Sequence, residues 1–286
     1  MISIGNLAVG GRAKTPMAAL VAQRLQASGE RPAILSRGYG RRFAADGVVV
    51  VRDPDGIRAD LDRAGDEPLM LARKLDGITV LASSSRYLAG KLAELHFGCT
   101  VHVLDDGFQH FDLHRDADLV IVAPEDLSGA RTLPFGRLRE PLDAAAAADA
   151  FVALDGAEVE AFSGPRPFWR ATRTLGDVPP QPALALAGIA NPRPFFDGLR
   201  AVGCGVKSEM VFADHRRYTR ADVDRIVAAA RAAGASVIVT TEKDFVRLLP
   251  FRPFALPVVS VPLTIELDNQ STFDVWLSAT IERARG

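Results

Sequence analysis

Short apolar runs alternate with amphipathic segments along most of this chain, and this alternation restricts the fold more than any other feature. The runs are almost continuously apolar and rich in β-branched residues. Such runs are typical of parallel strands buried on both faces, with helices between them that cover those faces. The sequence therefore predicts an α/β fold with mostly parallel sheets. The predicted strands are 1–4, 32–36, 47–51, 78–82, 101–104, 118–123, 150–154, 183–189, 207–213, 236–241 and 257–263.

A proline-rich stretch interrupts the alternation near the middle of the chain. Residues 162–182 read FSGPRPFWRATRTLGDVPPQP and include five prolines. Their alternation of polar and aromatic residues suits an exposed or two-stranded connector. We therefore predict two α/β/α lobes, a first domain over 1–160 and a smaller domain over 183–286, joined by a connector over 161–182. A cleft between two lobes is a natural place for a site that binds two substrates.

Composition restricts the partners of the protein. The chain has 34 Lys and Arg against 35 Asp and Glu, so no overall basic field points to a nucleic-acid partner. No apolar run reaches the ~18 residues that a membrane-spanning helix needs. Cys99 and Cys204 are far apart in sequence and typical of reduced thiols in a cytosolic protein. The sequence does not indicate an oligomeric state.

The loop GNLAVGGRAKTP, residues 5–16, follows the first predicted strand and opens the first predicted helix. Lys14 and Thr15 match the end of a Walker A motif, whereas Ala8 and Ala13 occupy its two glycine positions. In such a loop the backbone N–H groups bind phosphate, the lysine contacts the β- and γ-phosphates, and the hydroxyl binds Mg²⁺. The loop alone is equally consistent with a tight turn. The candidate phosphate-binding residues are Gly10, Gly11, Arg12, Ala13, Lys14 and Thr15.

An apolar strand that ends in two carboxylates supports a nucleotide site. The segment VHVLDDGFQH, residues 101–110, places Asp105 and Asp106 at the carboxyl end of a predicted parallel strand. A Walker B strand presents its metal-binding aspartate in the same way, and Asp105 is the better candidate. The alternative is that Asp-Asp-Gly is only a turn.

Two further segments carry charged residues at the ends of predicted strands or the starts of helices. In RAGDEPLMLARKL, residues 63–75, Asp66 and Glu67 precede a proline, a pattern that also fits a helix cap. The glycine-rich segment SRGYGRR, residues 36–42, contains Arg37, and its arginines either bind a phosphate or sugar or form a solvated turn.

In the second half, FADHRRY, residues 212–218, places His215 beside an acid between a strand and a helix. Among the five histidines, it is the best catalytic candidate.

Taken in order, these segments resemble the tetraacyldisaccharide 4'-kinase family, the lipid A 4'-kinases of Gram-negative bacteria. The matching blocks extend from residue 5 to about residue 244, and their number and order make the resemblance specific. They are GNLAVGGRAKTP, LSRGYGRR, AGDEPLMLAR, LDDGFQH, LPFGRLREP, AGIANPRPFF, FADHRRYT and TTEKD. The resemblance implies a P-loop kinase of two lobes. It transfers the γ-phosphate of ATP, with Mg²⁺, to the 4'-hydroxyl of a tetraacylated glucosamine disaccharide 1-phosphate.

The resemblance also implies roles for individual residues. Asp66 matches the acid proposed as general base and His215 its histidine partner, while Lys14 matches the P-loop lysine. Thr15, Asp105 and Glu140 match the metal-binding set. The remaining positions match residues that contact the substrate or support the site: Arg37, Glu67, Asp106 and His110.

Three departures from the family pattern bear on function. Arg12 and Ala13 replace a threonine and a glycine, and Arg216 replaces the second histidine of a frequent Asp-His-His block. The rival hypothesis is therefore a non-catalytic homologue that binds nucleotide or lipid through an impaired loop. Because the proposed carboxylates and His215 are all present, we favour an active kinase.

The third departure concerns the membrane. Family members usually begin with an extra apolar segment that seats them on the inner membrane, whereas this sequence begins at its first predicted strand. We expect a cytoplasmic protein that contacts the cytoplasmic face of the inner membrane peripherally. Either the start codon has been placed late, or the contact relies on another surface, such as exposed apolar and arginine side chains around the cleft.

Overall fold

The structure, a computed structural model, describes residues 1–10, 13–43, 47–128 and 131–286. Its strands are β1 (Ile2–Asn6), β2 (Pro32–Ser36), β3 (Val49–Asp53), β4 (Gly56–Ile57), β5 (Thr79–Ala82), β6 (Val101–Asp105), β7 (Ala117–Val122), β8 (Ala150–Leu154), β9 (Phe168–Leu175), β10 (Ala183–Ala187), β11 (Val206–Val211), β12 (Val237–Thr241), β13 (Val258–Val261) and β14 (Leu263–Leu267). The predicted strand positions thus correspond closely to observed strands.

Helices separate most of these strands. They are α1 (Lys14–Ala27), α2 (Leu61–Ala64), α3 (Asp66–Lys74), α4 (Arg86–Phe97), α5 (Pro124–Leu127), α6 (Glu160–Ser163), α7 (Arg193–Ala201), α8 (Arg220–Ala232), α9 (Glu242–Leu248) and α10 (Gln270–Arg285). Short 3₁₀ helices cover Leu142–Ala147 and Leu249–Phe251. None of the described helices is long and apolar enough to cross a membrane.

The chain divides into two compact units, Met1–Arg173 with Ile265–Gly286, and Thr174–Thr264. A ten-stranded sheet in the order β14-β9-β8-β7-β1-β6-β2-β5-β3-β4 organises the first unit. From β9 to β5 neighbouring strands are parallel, and the connections cross between non-adjacent strands. The carboxyl ends of β1, β2, β5 and β6 therefore lie at one edge of the sheet, and the candidate site residues follow these strands.

One edge of this sheet is antiparallel, which the sequence did not lead us to expect. Strand β3 runs antiparallel to β5 and forms a hairpin with β4. Asp53 ends β3, and its side chain accepts hydrogen bonds from the backbone N–H groups of Asp55 and Gly56 at 3.0 Å each. A Pro-Asp-Gly turn after an apolar run is a local signal for such a hairpin.

A four-stranded sheet in the order β11-β10-β12-β13 organises the second unit, and all its strands are parallel. Alternate residues of β10 enter two separate hydrophobic clusters, because successive side chains of a strand point to opposite faces. Leu184 and Leu186 pack with α8, whereas Ala185 and Ala187 pack with α7. The second unit is thus an α/β/α sandwich. The predicted α/β class with mostly parallel sheets is confirmed.

The boundaries of the units differ from those expected from the sequence. The expected connector, 161–182, contains β9, which pairs in parallel with β8. Within β9, Trp169 and Ala171 are buried and alternate with exposed residues. The expected second domain, 183–286, contains α10, which groups with the first unit. Hydrogen bonds between residues distant in sequence hold it there, including the pair Arg24–Asp274 and the bond from Trp169 to Thr272 at 2.9 Å.

Candidate active site

The loop between β1 and α1 begins as an extended segment paired with residues 137–139. The N–H of Val9 donates to the carbonyl of Arg137 at 2.8 Å, and the N–H of Arg139 donates to the carbonyl of Leu7 at 2.6 Å. These bonds bring the LPFGRLREP block beside the candidate phosphate-binding loop. Gly10 adopts φ 104°, a region open mainly to glycine. Gly11 and Arg12, both predicted to bind phosphate, lie outside the described residues.

Ala13 takes the position at which a Walker A loop has glycine, and its backbone is left-handed. Its φ and ψ are 55° and 25°, and it forms the N-cap of α1 without a side-chain hydrogen bond. A residue with a Cβ loses about 1 kcal/mol in this conformation relative to glycine. Among the described residues of this loop, Ala13 therefore carries a Cβ in a conformation that favours glycine.

Lys14 and Thr15, the first residues of α1, contact the ends of the two central strands. The Lys14 ammonium donates to Asn6 Oδ1 at 2.9 Å and lies 3.3 Å from Asp106 Oδ1. The Thr15 hydroxyl lies 3.3 Å from each carboxylate oxygen of Asp105. Because β1 and β6 are parallel neighbours, the loop after one strand meets the acids after the other.

Asp105 is buried at the end of β6. Burial, with the charges of Glu67 and Asp106, raises its pKa to about 7, and the charge of Lys14 opposes the increase. A buried carboxylate beside a hydroxyl suits a hard cation such as Mg²⁺, which completes its coordination with water and phosphate oxygens. No three His, Cys, Asp or Glu side chains gather as a self-sufficient metal centre among the described residues. Thr15 and Asp105 therefore fit a Mg²⁺ that is held jointly with a nucleotide.

Asp106 joins this group to the LPFGRLREP block. Its backbone is left-handed, with φ 58°, and its carboxylate accepts from the Arg139 guanidinium at 3.0 to 3.2 Å. It thus lies between two cations, Lys14 and Arg139. The following glycine is packed tightly: a Cβ on Gly107 would lie 2.5 Å from the Cβ of Leu104.

Gln109, which the sequence reasoning did not select, holds Glu140 near the start of the loop. Its Nε2 donates to the carbonyl of Asn6 at 3.0 Å and to Glu140 Oε1 at 2.9 Å, while its Oε1 accepts from Arg139 at 3.1 Å. A glutamine immediately before His110 carried no signal by itself, because its partners come from distant parts of the chain. For Glu140 a metal-binding role stays a prediction.

Asp66 is the first residue of α3 and is buried. One of its oxygens accepts from the N–H of Glu67 at 2.9 Å, so it participates in the helix start as its local pattern suggested. The preceding residue, Gly65, has φ 86°, and a Cβ there would lie 2.5 Å from the carbonyl oxygen of Tyr39. The SRGYGRR segment therefore lies directly against the residue before Asp66.

Arg86 is a second residue that the sequence reasoning missed. It opens α4 after β5, is buried, and donates to the carbonyl of Ser83 at 2.9 Å. Burial lowers its pKa; the charge of Asp105 opposes this shift and that of Arg37 adds to it. Burial and then the charge of Arg86 also lower the pKa of His110. An arginine at a helix start is usually exposed, so only the fold reveals that Arg86 faces the site.

In the second unit, His215 lies between two cations. Its Nδ1 is 3.4 Å from Arg247 Nη2, its Nε2 is 3.3 Å from Lys243 Nζ, and its Nε2 is 3.8 Å from Asp214. Its own backbone is left-handed, with φ 55°. The TTEKD block, which supplies Lys243, thus lies against the FADHRRY block. Asp66 and His215 belong to different units, and their proposed pairing stays a prediction.

A buried network fixes Arg247. Asp244 accepts from the backbone N–H of Gly188 at 2.8 Å, from Tyr218 at 3.0 Å and from Arg247 at 3.0 Å. Arg247 also donates to the carbonyl of Gly188 at 2.7 Å. Burial and the charge of Asp244 raise the pKa of Tyr218, which stays a hydrogen-bond donor. The network joins the ends of β10 and β12 beneath His215.

Arg216 replaces a family histidine, and the structure gives it a different role. Its guanidinium donates to Asp222 at 2.9 and 3.1 Å. Asp222 also forms a capping box with Thr219 at the start of α8. The arginine therefore stabilises a helix start, and the departure at this position leaves the contacts of His215 with Lys243 and Arg247 in place.

Comparisons with known proteins identify the family and the fold of this chain. A sequence model described as Tetraacyldisaccharide-1-P 4'-kinase matches residues 1–282. The tetraacyldisaccharide 4'-kinase of Geobacter metallireducens is 40% identical over 267 residues, covering 87% of this chain and 79% of that protein. The enzyme of Koribacter versatilis is 38% identical over 298 residues, covering 100% of this chain and 90% of that protein.

A solved structure shows the same fold. LpxK from Aquifex aeolicus, crystallised in complex with ATP, superposes with a TM-score of 0.78 at 30% identity. The alignment covers 98% of this chain and 87% of that one. With the family match extending over nearly the whole chain, this protein belongs to the tetraacyldisaccharide-1-P 4'-kinase family.

Proposed function

We propose that this protein transfers the γ-phosphate of ATP to the 4'-hydroxyl of a tetraacylated glucosamine disaccharide 1-phosphate, a step of lipid A synthesis. The observation that carries the proposal is the meeting of the loop hydroxyl of Thr15 with the buried carboxylate of Asp105 at 3.3 Å. This pairing of a loop hydroxyl with a strand acid is what a P-loop kinase needs around the phosphates of its nucleotide.

The residues of α1 and β6 bind and orient the nucleotide in this proposal. Lys14, which pairs with Asn6 and Asp106, would turn to the β- and γ-phosphates when ATP enters. Thr15 and Asp105 would hold Mg²⁺, with Glu140 as the third predicted ligand. Bound there, the metal ion would neutralise charge on the transferred phosphoryl group.

Asp66 is the proposed general base. A sugar hydroxyl has too high a pKa to ionise near neutral pH, so a carboxylate must accept its proton as the new bond to phosphorus forms. Asp66 suits this role because it is buried at the start of α3, where the loop carrying Arg37 packs against the preceding residue. His215 is the proposed partner of Asp66 in this proton transfer.

The experiment is a transfer assay with γ-labelled ATP and tetraacyldisaccharide 1-phosphate in detergent micelles. Wild-type protein should transfer label in a Mg²⁺-dependent reaction, and Asp66→Asn should reduce kcat by about 10²- to 10⁴-fold. Asp62→Asn, at a partly exposed acid of the preceding helix, is the matched control and should retain activity. Absence of transfer by wild type would refute the proposed activity. Full activity of Asp66→Asn would refute the base.

The left-handed backbone of Ala13 favours one second candidate, a homologue that binds nucleotide without catalysis. The same transfer assay distinguishes an active kinase from this non-catalytic homologue. If wild type is inactive and Ala13→Gly restores transfer, the natural loop is impaired and the second candidate is correct. If both proteins transfer phosphate, the loop tolerates the methyl group.

We also propose that the protein contacts an anionic membrane surface through two loops beside the site. Tyr39 and Phe43 follow β2, while Leu133 and Phe135 belong to the LPFGRLREP block, and all four side chains are more than half exposed. Exposed arginines, Arg131 among them, would complement anionic headgroups, and aromatic side chains suit the membrane interface.

Vesicle flotation tests this contact. Wild-type protein should float with vesicles that contain phosphatidylglycerol, and Phe135→Ser should weaken flotation. Leu95→Ser is the control, because Leu95 is 79% exposed but lies near the end of α4, at the opposite edge of the sheet. Equal loss in both variants, or no flotation of wild type, would contradict the proposed surface.

A further inference from the structure

Three arginines gather where β2 and β5 end. Arg37 and Arg41 follow β2, and Arg86 follows β5, its parallel neighbour. The charges of Arg37 and Arg41 both lower the pKa of Arg86, so both of these guanidinium groups lie within electrostatic range of Arg86. Like charges repel, and at least one of these groups is buried, so the arrangement is costly unless an anion offsets it.

Arg86 is the buried member of this group, with 6% of its surface exposed. Its hydrogen bonds to the described residues use Nη1, which donates to the carbonyls of Ser83 and Ser84 at 2.9 and 3.5 Å. Because carbonyl oxygens carry no net charge, these hydrogen bonds do not neutralise the charge of the Arg86 guanidinium. The acids within its electrostatic range are Asp105 and Asp106. Both are already engaged, by Thr15 and by Lys14 with Arg139 respectively.

Arg41 has a buried donor without an acceptor. Its Nε donates to the carbonyl of Gly38 at 3.1 Å, which fixes the plane of the guanidinium. Its Nη1 is buried and has no hydrogen-bond partner among the described residues. Buried donors of a charged group are almost always paired in folded proteins, so an orphan beside a substrate site indicates a missing acceptor.

The position of Arg41 is tightly fixed. A Cβ on Gly38 would lie 2.8 Å from Arg41 Nε and 3.0 Å from the carbonyl oxygen of Ala64, and Gly65 lies as closely against Tyr39. The loop is therefore packed, backbone to backbone, against the segment that leads into Asp66. An acceptor bound by Arg41 would lie beside the proposed general base.

We propose that Arg41 and Arg86 bind a phosphate group of a substrate, at a subsite separate from the loop of Lys14. Guanidinium groups suit this ligand because their planar donors match two oxygens of a phosphate at once. The proposal rests on the proposed function, in which both substrates carry such a group. These are the γ-phosphate of ATP and the 1-phosphate of the acceptor.

The test compares ligands that differ only by the phosphate in question. Arg41→Gln is the variant, and Arg42→Gln is the matched control. Arg42 is the next residue of the loop, its side chain is 64% exposed, and its ion pair with Asp62 is long at 3.9 Å. Thermal unfolding of both variants should match that of wild type, which shows that the loop remains folded. Arg41→Lys, which keeps the charge, should recover part of the lost affinity.

The two sources of phosphate give different results. If the γ-phosphate is bound, Arg41→Gln weakens binding of a non-hydrolysable ATP analogue about tenfold and leaves ADP binding unchanged. If the acceptor phosphate is bound, nucleotide affinities are unchanged. In that case micelle binding of the tetraacyldisaccharide 1-phosphate weakens about tenfold, whereas the same lipid without its 1-phosphate binds as before.

The proposal is overturned if Arg41→Gln distinguishes the ATP analogue from ADP, and the lipid with its 1-phosphate from the lipid without it, as well as Arg42→Gln does. A uniform loss of affinity for all four ligands would also overturn the proposal, because it indicates a structural role. These are binding measurements, so they remain decisive if wild type transfers no phosphate. That outcome would refute the proposed function alone.

Discussion

The hydroxyl of Thr15 lies 3.3 Å from both carboxylate oxygens of Asp105, although 90 residues separate them in the chain. The contact follows from topology, because β1 and β6 are parallel neighbours and both residues lie at their carboxyl ends. A hydroxyl donor satisfies only part of a buried carboxylate. Burial accordingly raises the pKa of Asp105 to about 7, and the proposed Mg²⁺ would favour its ionised form.

The first prediction concerns stability against pH in the absence of Mg²⁺. Burial raises the pKa of Asp105 to about 7 from the usual 3.8. Between these values the folded state binds a proton that the unfolded state has released, so this residue's contribution to stability falls as pH rises from about 4 to 7. Asp105→Asn should therefore be more stable than wild type at pH 8, by roughly 2–4 kcal/mol, with little difference at pH 4.

Urea denaturation of both proteins across this pH range measures the effect. Asp112→Asn, an exposed acid seven residues away, should track wild type. At pH 8, Mg²⁺ with ATP should stabilise wild type more than Asp105→Asn, because a ligand stabilises the state that binds it. A constant difference between Asp105→Asn and wild type at every pH would contradict the prediction.

The second prediction concerns Ala13. Its left-handed backbone, with φ 55°, favours glycine, so Ala13→Gly should raise the free energy of unfolding by about 1 kcal/mol. Ala18→Gly, a buried position within α1, should lower it by at least about 1 kcal/mol, since glycine is unfavourable within a helix and removes a packed methyl group. Equilibrium denaturation distinguishes these opposite signs. If Ala13→Gly destabilises the protein, the left-handed conformation is not the source of strain at this position.

The fold and part of the site could be predicted from the sequence for a physical reason. Continuous apolar runs indicate parallel strands, and acids or loops after such strands meet at one edge, so Lys14, Thr15 and Asp105 were found together. Arg86 could not be identified, because nothing local distinguishes a buried arginine at a helix start from an exposed one. The return of α10 to the first unit depends on the pair Arg24–Asp274, whose members lie 250 residues apart. Local patterns carry no signal for such a pairing.

The third prediction concerns His215, which Arg247 and Lys243 flank at 3.4 and 3.3 Å. His215→Asn removes the imidazole and keeps a residue that tolerates the left-handed backbone. It should reduce kcat about 100-fold with little change in Tm, as expected for a group that assists proton transfer. Arg216→His, at the adjacent position, should retain kcat and lose some stability through its ion pair with Asp222. If His215→Asn retains the wild-type kcat, His215 does not take part in the proposed mechanism.

The last prediction separates the close packing around Asp66 from simple backbone strain. Gly65 and Gly40 both have positive φ, at 86° and 78°. A Cβ on Gly65 would lie 2.5 Å from the carbonyl oxygen of Tyr39, whereas a Cβ on Gly40 would meet no atom within 4 Å. Gly40→Ala should therefore cost only the strain of a left-handed alanine, about 1 kcal/mol, and leave kcat near wild type.

Gly65→Ala should cost at least about 1 kcal/mol more, because the loop must also move away from α3. That movement displaces the segment leading into Asp66, so kcat should fall along with stability. Denaturation and the phosphate-transfer assay on the two variants measure both effects. Equal stability and equal kcat in Gly65→Ala and Gly40→Ala would mean that the contact between the SRGYGRR loop and α3 does not position the proposed base.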